Sequence, residues 1–199
     1  MQADSAPELT LTPDGRVHPA RHLASPNCDD YPQGAAPTLL VLHNISLPPG
    51  EYGGPGVEQL FGNTLNPDGH PYYAGIAHLR VSSHFFIRRD GELVQFVPVT
   101  RRAWHAGVSN YCGRERCNDF SLGVEMEGSD FEPFTDAQYR ALNRLAALLA
   151  RELPLTAVTG HQHIAPGRKT DPGPFFEWDR LDGKLPLWLG NTVAGSEYG

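Results

Sequence analysis

The stretch Thr38-Leu-Leu-Val-Leu-His43 decides the fold. It is apolar without alternation, the pattern of a central strand covered on both faces, as parallel sheets require. Such a strand needs partners, and they are legible downstream. Ser83–Arg88 and Glu92–Val97 flank Asp90-Gly91, a pair whose glycine tolerates the positive φ of a tight hairpin. Phe120–Glu127 (FSLGVEME) alternates enough for another strand, and Ala157–His161 reads as the last.

The helices are marked at their ends. Thr135 and Gln138 form a capping-box pair, and Tyr139, Leu142, Leu145, Ala146 and Leu149 follow at helical spacing until Pro154 stops the run. Phe176–Leu181 is expected to be a short closing helix. Residues 47–76 are rich in Gly, Pro and Asn, so a long loop is predicted there, with a short helix around Val57–Phe61. A loop of that length in a compact domain is usually functional or mobile. The order of elements predicts an α/β single domain, a central mixed β-sheet flanked by helices. Residues 1–36 read as an irregular arm, 37–185 as the domain and 186–199 as a tail.

Composition agrees with one soluble domain: 199 residues, 40% hydrophobic and 20% charged. The net charge of −7, without a basic cluster, argues against a nucleic-acid partner. Apolar runs are too short to cross a bilayer, so no membrane association is expected. The opening MQADSAPELT has neither a basic nor an apolar export region, and Cys28, Cys112 and Cys117 are few and odd in number. Both features fit a reducing cytoplasm.

The chemistry-bearing residues sit at element ends. His43 closes the first strand, His161 the last, and Asp171 follows in KTDPGP. Two neutral imidazoles and a carboxylate make a three-ligand zinc site with a fourth position open. Nine histidines allow many other trios, so spacing alone leaves the set open.

Five segments carry a family resemblance: LHNISLPPGEYGGP, HPYYAGIAHLRVSSHFFIRRDGELVQFVP, RAWHAGVSNYCGRERCNDFSLGVEMEGSD, FTDAQY and TGHQHIAPGRKTDPGP. From about Leu39 to Trp178 the chain resembles the cytoplasmic anhydro-N-acetylmuramoyl-L-alanine amidases. These belong with phage amidase lysozymes and peptidoglycan recognition proteins. The resemblance implies a mixed-sheet α/β fold and one Zn2+ held by His43, His161 and Asp171. It implies Glu125 and Lys169 as catalytic residues. It associates Asn44, Tyr72, Arg80, Trp104 and Arg116 with substrate contact, Arg80 and Arg116 as candidates for gripping peptide carboxylates. The implied reaction cuts the amide between the lactyl group of (1,6-anhydro-)N-acetylmuramic acid and L-alanine, in cytoplasmic peptidoglycan recycling. The implied partner is a small soluble anhydromuropeptide, and a monomer is the working expectation.

His163 departs from the family pattern and rivals His161 as a ligand, because residues two apart on an extended segment face the same way. The expected resolution is His161 at the strand tip and His163 hydrogen-bonded on the following turn. His105 is expected to line the cleft beside Trp104, and His84 to be packed in the hairpin strand. His70 and His78 have no assigned task, and Cys112 and Cys117 lack the spacing of a metal clip. Two other functions remain open. Glu125 and Glu127, on one side of a strand, could form a glycosidase pair needing no metal. A domain of this kind could also bind wall fragments without cutting them.

Overall fold

The computed structural model describes residues 7–190. A six-stranded mixed sheet organises the chain. Its strands in chain order are β1 (Arg21–His22), β2 (Leu39–Ile45), β3 (Phe85–Ile87), β4 (Leu93–Gln95), β5 (Ser121–Glu127) and β6 (Ala157–Gly160). Across the sheet the order is β6-β2-β5-β3-β4-β1. Neighbours are parallel except β3 and β4, the expected hairpin. Gly91 supplies its turn at φ +89°, a conformation that costs glycine little.

The continuous apolar run is explained by cover on both faces. Helix α2 (Asp136–Glu152) lays Tyr139, Leu142, Leu145 and Leu149 on Leu40, Leu42, Leu122, Val124 and Met126. Its capping box is complete: Thr135 Oγ1 accepts from Gln138 N at 3.1 Å, and Thr135 N donates to Gln138 Oε1 at 3.0 Å. On the other face Leu39 and Val41 meet Ala106, Cys117, Phe120 and Ile164. Beside them α1 (Gly56–Phe61) packs Val57, Leu60 and Phe61 near Phe86 and Phe96. Each such buried side chain contributes about 1.5–3 kcal/mol.

Three local expectations change. Strand β6 ends at Gly160, and His161 instead opens the one-turn helix α3 (His161–Ile164). The closing helix shrinks to a 3-10 turn, Trp178–Arg180, because Tyr139 Oη takes the Glu177 N–H at 2.7 Å and ties the segment to α2. The N-terminal arm has little regular structure, yet it is part of the sheet. Arg21–His22 forms the edge beside β4, and Leu23 and Ser25 continue the bonding to Gln95 and Phe96. Gln95 also holds the arm with its side chain, accepting from Val17 N at 2.8 Å and donating to Gly15 O at 2.9 Å.

The opposite edge is covered as well. Val158 N donates to Pro186 O and Trp188 N to Val158 O, both at 2.9 Å, so the chain just past Leu185 lies against β6. The rest of the predicted tail, residues 191–199, lies outside the described residues.

Candidate active site

Alternation along β2 and β5 aims the chemistry at one side. Leu40, Leu42, Leu122 and Val124 face α2, so His43 and Glu125 point the other way. There they open on a cleft of about 670 Å³, a size suited to a small ligand. Its walls come from β2, β5, α3 and the 47–76 segment, and include Leu47, Phe61, Tyr72 and Leu79.

Three ligand atoms converge at the cleft floor. His43 Nδ1 lies 3.0 Å from His161 Nδ1 and 2.9 Å from Asp171 Oδ2, and His161 Nδ1 lies 3.0 Å from the same oxygen. Among the described residues this is the group that could hold a metal ion. Helix α3 delivers Asp171 as well as His161, because Gln162 N donates to Asp171 O at 2.8 Å.

Electrostatics suit a cation. Burial, then the neighbouring His161, pushes His43 down to about 4, so its imidazole is neutral. Burial raises Asp171, but the close approach of His161 and His43 more than offsets it and holds the carboxyl well below its usual range. Two imidazole nitrogens and one carboxylate oxygen, a few ångströms apart, are a donor set that suits Zn2+.

Both histidines are anchored through their far nitrogens. His161 Nε2 lies 2.9 Å from Ala106 O, and His43 Nε2 lies 2.9 Å from His105 Nδ1. His163 is occupied elsewhere. Its Nδ1 accepts from Gly160 N at 3.1 Å, and its ring lies against Trp178. Among the described residues, His161 and not His163 belongs to the converging trio.

Glu125 lines the same cleft with Oε2 buried and unpartnered. Burial, then Asp171, pushes its carboxyl well above the usual range, against the opposing pull of Lys169. Lys169 is exposed on the cleft wall beside Thr170 and Asp171. Glu127 faces the same side of the strand but is spoken for. It accepts from Gly53 N at 2.6 Å and Arg89 N at 2.9 Å and pairs with Arg88. Glu127 is thus tied to the backbone, away from the cleft lining, which disfavours a glycosidase pair.

The expected substrate contacts divide. Asn44, Tyr72 and Trp104 line the cleft. Asn44 Nδ2 donates to Asp130 Oδ1 and Pro172 O, and Trp104 Nε1 to Asp29 Oδ1. Arg80 and Arg116 are not among the lining residues. Arg80 donates to the carbonyls of His78 and Leu79, and Arg116 pairs with Asp119 at 3.1 Å. Two lining residues had no signal beforehand. Phe131 is 87% exposed at the cleft, and Arg168 Nη2 donates to Ala106 O at 2.9 Å, the carbonyl that also meets His161. His84 is packed as expected, accepting from Gly123 N, with Nε2 2.9 Å from Arg101 O.

Residues 33–174 match the N-acetylmuramoyl-L-alanine amidase family. The chain belongs to that family. Among curated relatives of this amidase is the 1,6-anhydro-N-acetylmuramyl-L-alanine amidase AmpD of Salmonella typhimurium (strain SL1344). It is 58% identical over 180 residues, covering 89% of this chain and 96% of its own. A crystal structure of a selenomethionine AmpD derivative superposes with a TM-score of 0.84 at 54% identity, over 88% of this chain and 99% of that one. AmpDh3 of Pseudomonas aeruginosa, solved with anhydromuramic pentapeptide, gives 0.59 at 27% identity, over 79% of this chain and 63% of its own. The amidase therefore has the fold expected from its central strand, and the trio at its cleft floor is compatible with a metal ion.

Proposed function

We propose that this chain hydrolyses the amide bond between the lactyl group of 1,6-anhydro-N-acetylmuramic acid and L-alanine in soluble muropeptides, during cytoplasmic recycling of the cell wall. The observation that carries the reading is the convergence of His43, His161 and Asp171 on one point of a cleft that Glu125 and Lys169 also line. The similarity to AmpD supports the substrate, and the AmpDh3 complex supports a peptide-bearing anhydro sugar as the kind of molecule the cleft takes. The location is proposed on the similarity to AmpD alone.

His43, His161 and Asp171 would hold Zn2+, which polarises an amide carbonyl and makes water a nucleophile near neutral pH. Glu125 takes one proton from the attacking water as its oxygen bonds to the lactyl carbon. The carboxyl then passes that proton to the alanine nitrogen as the C–N bond breaks, leaving a carboxylic acid and an amine, between which the second proton of the water redistributes. The burial that raises the proton affinity of Glu125 suits a group that accepts and releases a proton within one turnover. Lys169 places a positive charge on the wall where the carbonyl oxygen gains negative charge. Asn44, Tyr72 and Trp104 shape the cleft for the substrate, and Arg80 and Arg116 would grip peptide carboxylates beyond it.

Purified protein should release the intact stem peptide from anhydromuropeptides, seen by mass spectrometry, and elemental analysis should find zinc near one equivalent. Binding of the muropeptide without cleavage, zinc being present, would return the chain to a recognition role.

A further inference from the structure

The ligand His43 is backed by a relay of hydrogen bonds whose direction is fixed at its far end. Ser121 Oγ lies 2.6 Å from Cys117 O. A carbonyl only accepts, so the serine proton points there and its oxygen is left to accept. His105 Nε2 stands 3.2 Å from that oxygen and is therefore the protonated nitrogen of its ring. His105 Nδ1, 2.9 Å from His43 Nε2, is left with its lone pair and accepts from His43. That places the proton of His43 on Nε2 and leaves Nδ1 bare, the nitrogen that meets His161 and Asp171.

The position of His105 is built into the sheet. A Cβ on Gly123 would come within 2.6 Å of His105 Cγ and 2.7 Å of its Nδ1, so the ring rests on β5 only because residue 123 has no side chain. The ring also stands edge-on to His43, with centroids 5.1 Å apart and planes at 86°.

We propose that His105 is a positioning residue for the metal centre, setting the tautomer and ring orientation of His43 through the chain Cys117–Ser121–His105. This rests on the reading of His43 as a metal ligand. Outer partners of this kind typically change metal affinity about 10–100-fold when removed.

Zinc affinity measured by competition with a chelator tests the inference. His105→Phe keeps a flat ring but removes the acceptor, and should weaken zinc binding about 10–100-fold. His105→Asn, whose Oδ1 stands near the place of the lost Nδ1, should recover most of that loss. A second measurement needs no variant: in the zinc-loaded wild type, nitrogen NMR should show His105 protonated at Nε2 and His43 protonated at Nε2. Unchanged zinc affinity in a folded His105→Phe protein, or a proton on His105 Nδ1, overturns the positioning role. His43→Ala separates the two readings. If it keeps full zinc affinity, the ligand assignment itself fails, whereas its loss beside an unaffected His105→Phe sinks only the positioning role.

Discussion

Glu125 stands opposite His43 in the register of the parallel pair β2 and β5, and both side chains leave the sheet on the face away from α2. The proposed proton-transfer group and the proposed metal ligand are therefore held by one ladder of backbone hydrogen bonds. Rigid strands of this kind are better supports for a reacting geometry than loops.

The first prediction separates the two carboxylates of β5. Glu125→Gln should lower kcat by at least about 10²-fold while zinc content stays unchanged. Glu127→Gln should act on stability, because an amide cannot replace a carboxylate that accepts from Gly53 N and Arg89 N on both oxygens. An unsatisfied buried group of this kind costs about 1–3 kcal/mol. Denaturant melts and steady-state kinetics on both variants check the division, and a kcat loss confined to Glu127→Gln reverses it.

The ligand set gives the second. His161→Ala and Asp171→Ala should lose zinc, and the wild type should lose activity to a strong chelator and regain it with zinc. His163→Ala should keep both metal and activity, and lose only about 0.5–1.5 kcal/mol from the missing bond to Gly160 N. Zinc loss in His163→Ala with zinc retained in His161→Ala would exchange their roles.

Lys169 provides the third. A charge that acts on the developing oxyanion helps the transition state more than the bound substrate. Lys169→Gln should thus reduce kcat and kcat/KM together, by about 10²–10³, and leave KM nearly unchanged. A raised KM with normal kcat would make it a residue that only grips substrate.

The fourth concerns the arm. Asn27 is buried and its Nδ2 donates to Asn63 Oδ1 at 2.9 Å and Val81 O at 2.8 Å, while Ser25 Oγ donates to Phe61 O at 2.7 Å. Phe61 and Val81 line the cleft. Asn27→Ala should therefore raise KM more than it lowers kcat, alongside a stability loss of about 1–3 kcal/mol. Kinetics with unchanged KM would show that the arm only stabilises the fold.

Much of this was legible in the sequence because it rests on local signals. The apolar run at Thr38–His43, the Asp90-Gly91 turn and the Thr135–Gln138 cap each carry their own physics, and each element forms there. The candidate trio of His43, His161 and Asp171 was suggested by residue type and resemblance, and the structure brings its ligand atoms together. What was missed depends on long-range pairing. Nothing in Arg21–His22 announces a strand, since two residues have no periodicity and the pairing partner lies in β4. The relay behind His43 was hidden because its members come from three separate stretches, around residues 43, 105 and 117–121. Phe131 and Arg168 acquire a role only through the walls that surround them.

The cover on the outer edge of β6 has a consequence for shortened forms of the protein. All four residues of that strand are buried, and Val158 spends both its N–H and its C=O on Pro186 and Trp188. A chain cut after Leu185 would keep His43, His161 and Asp171 but bare these backbone groups. An uncovered edge invites pairing with another chain. Such a truncation should fail by self-association, with strand meeting strand between molecules, before it fails as a catalyst.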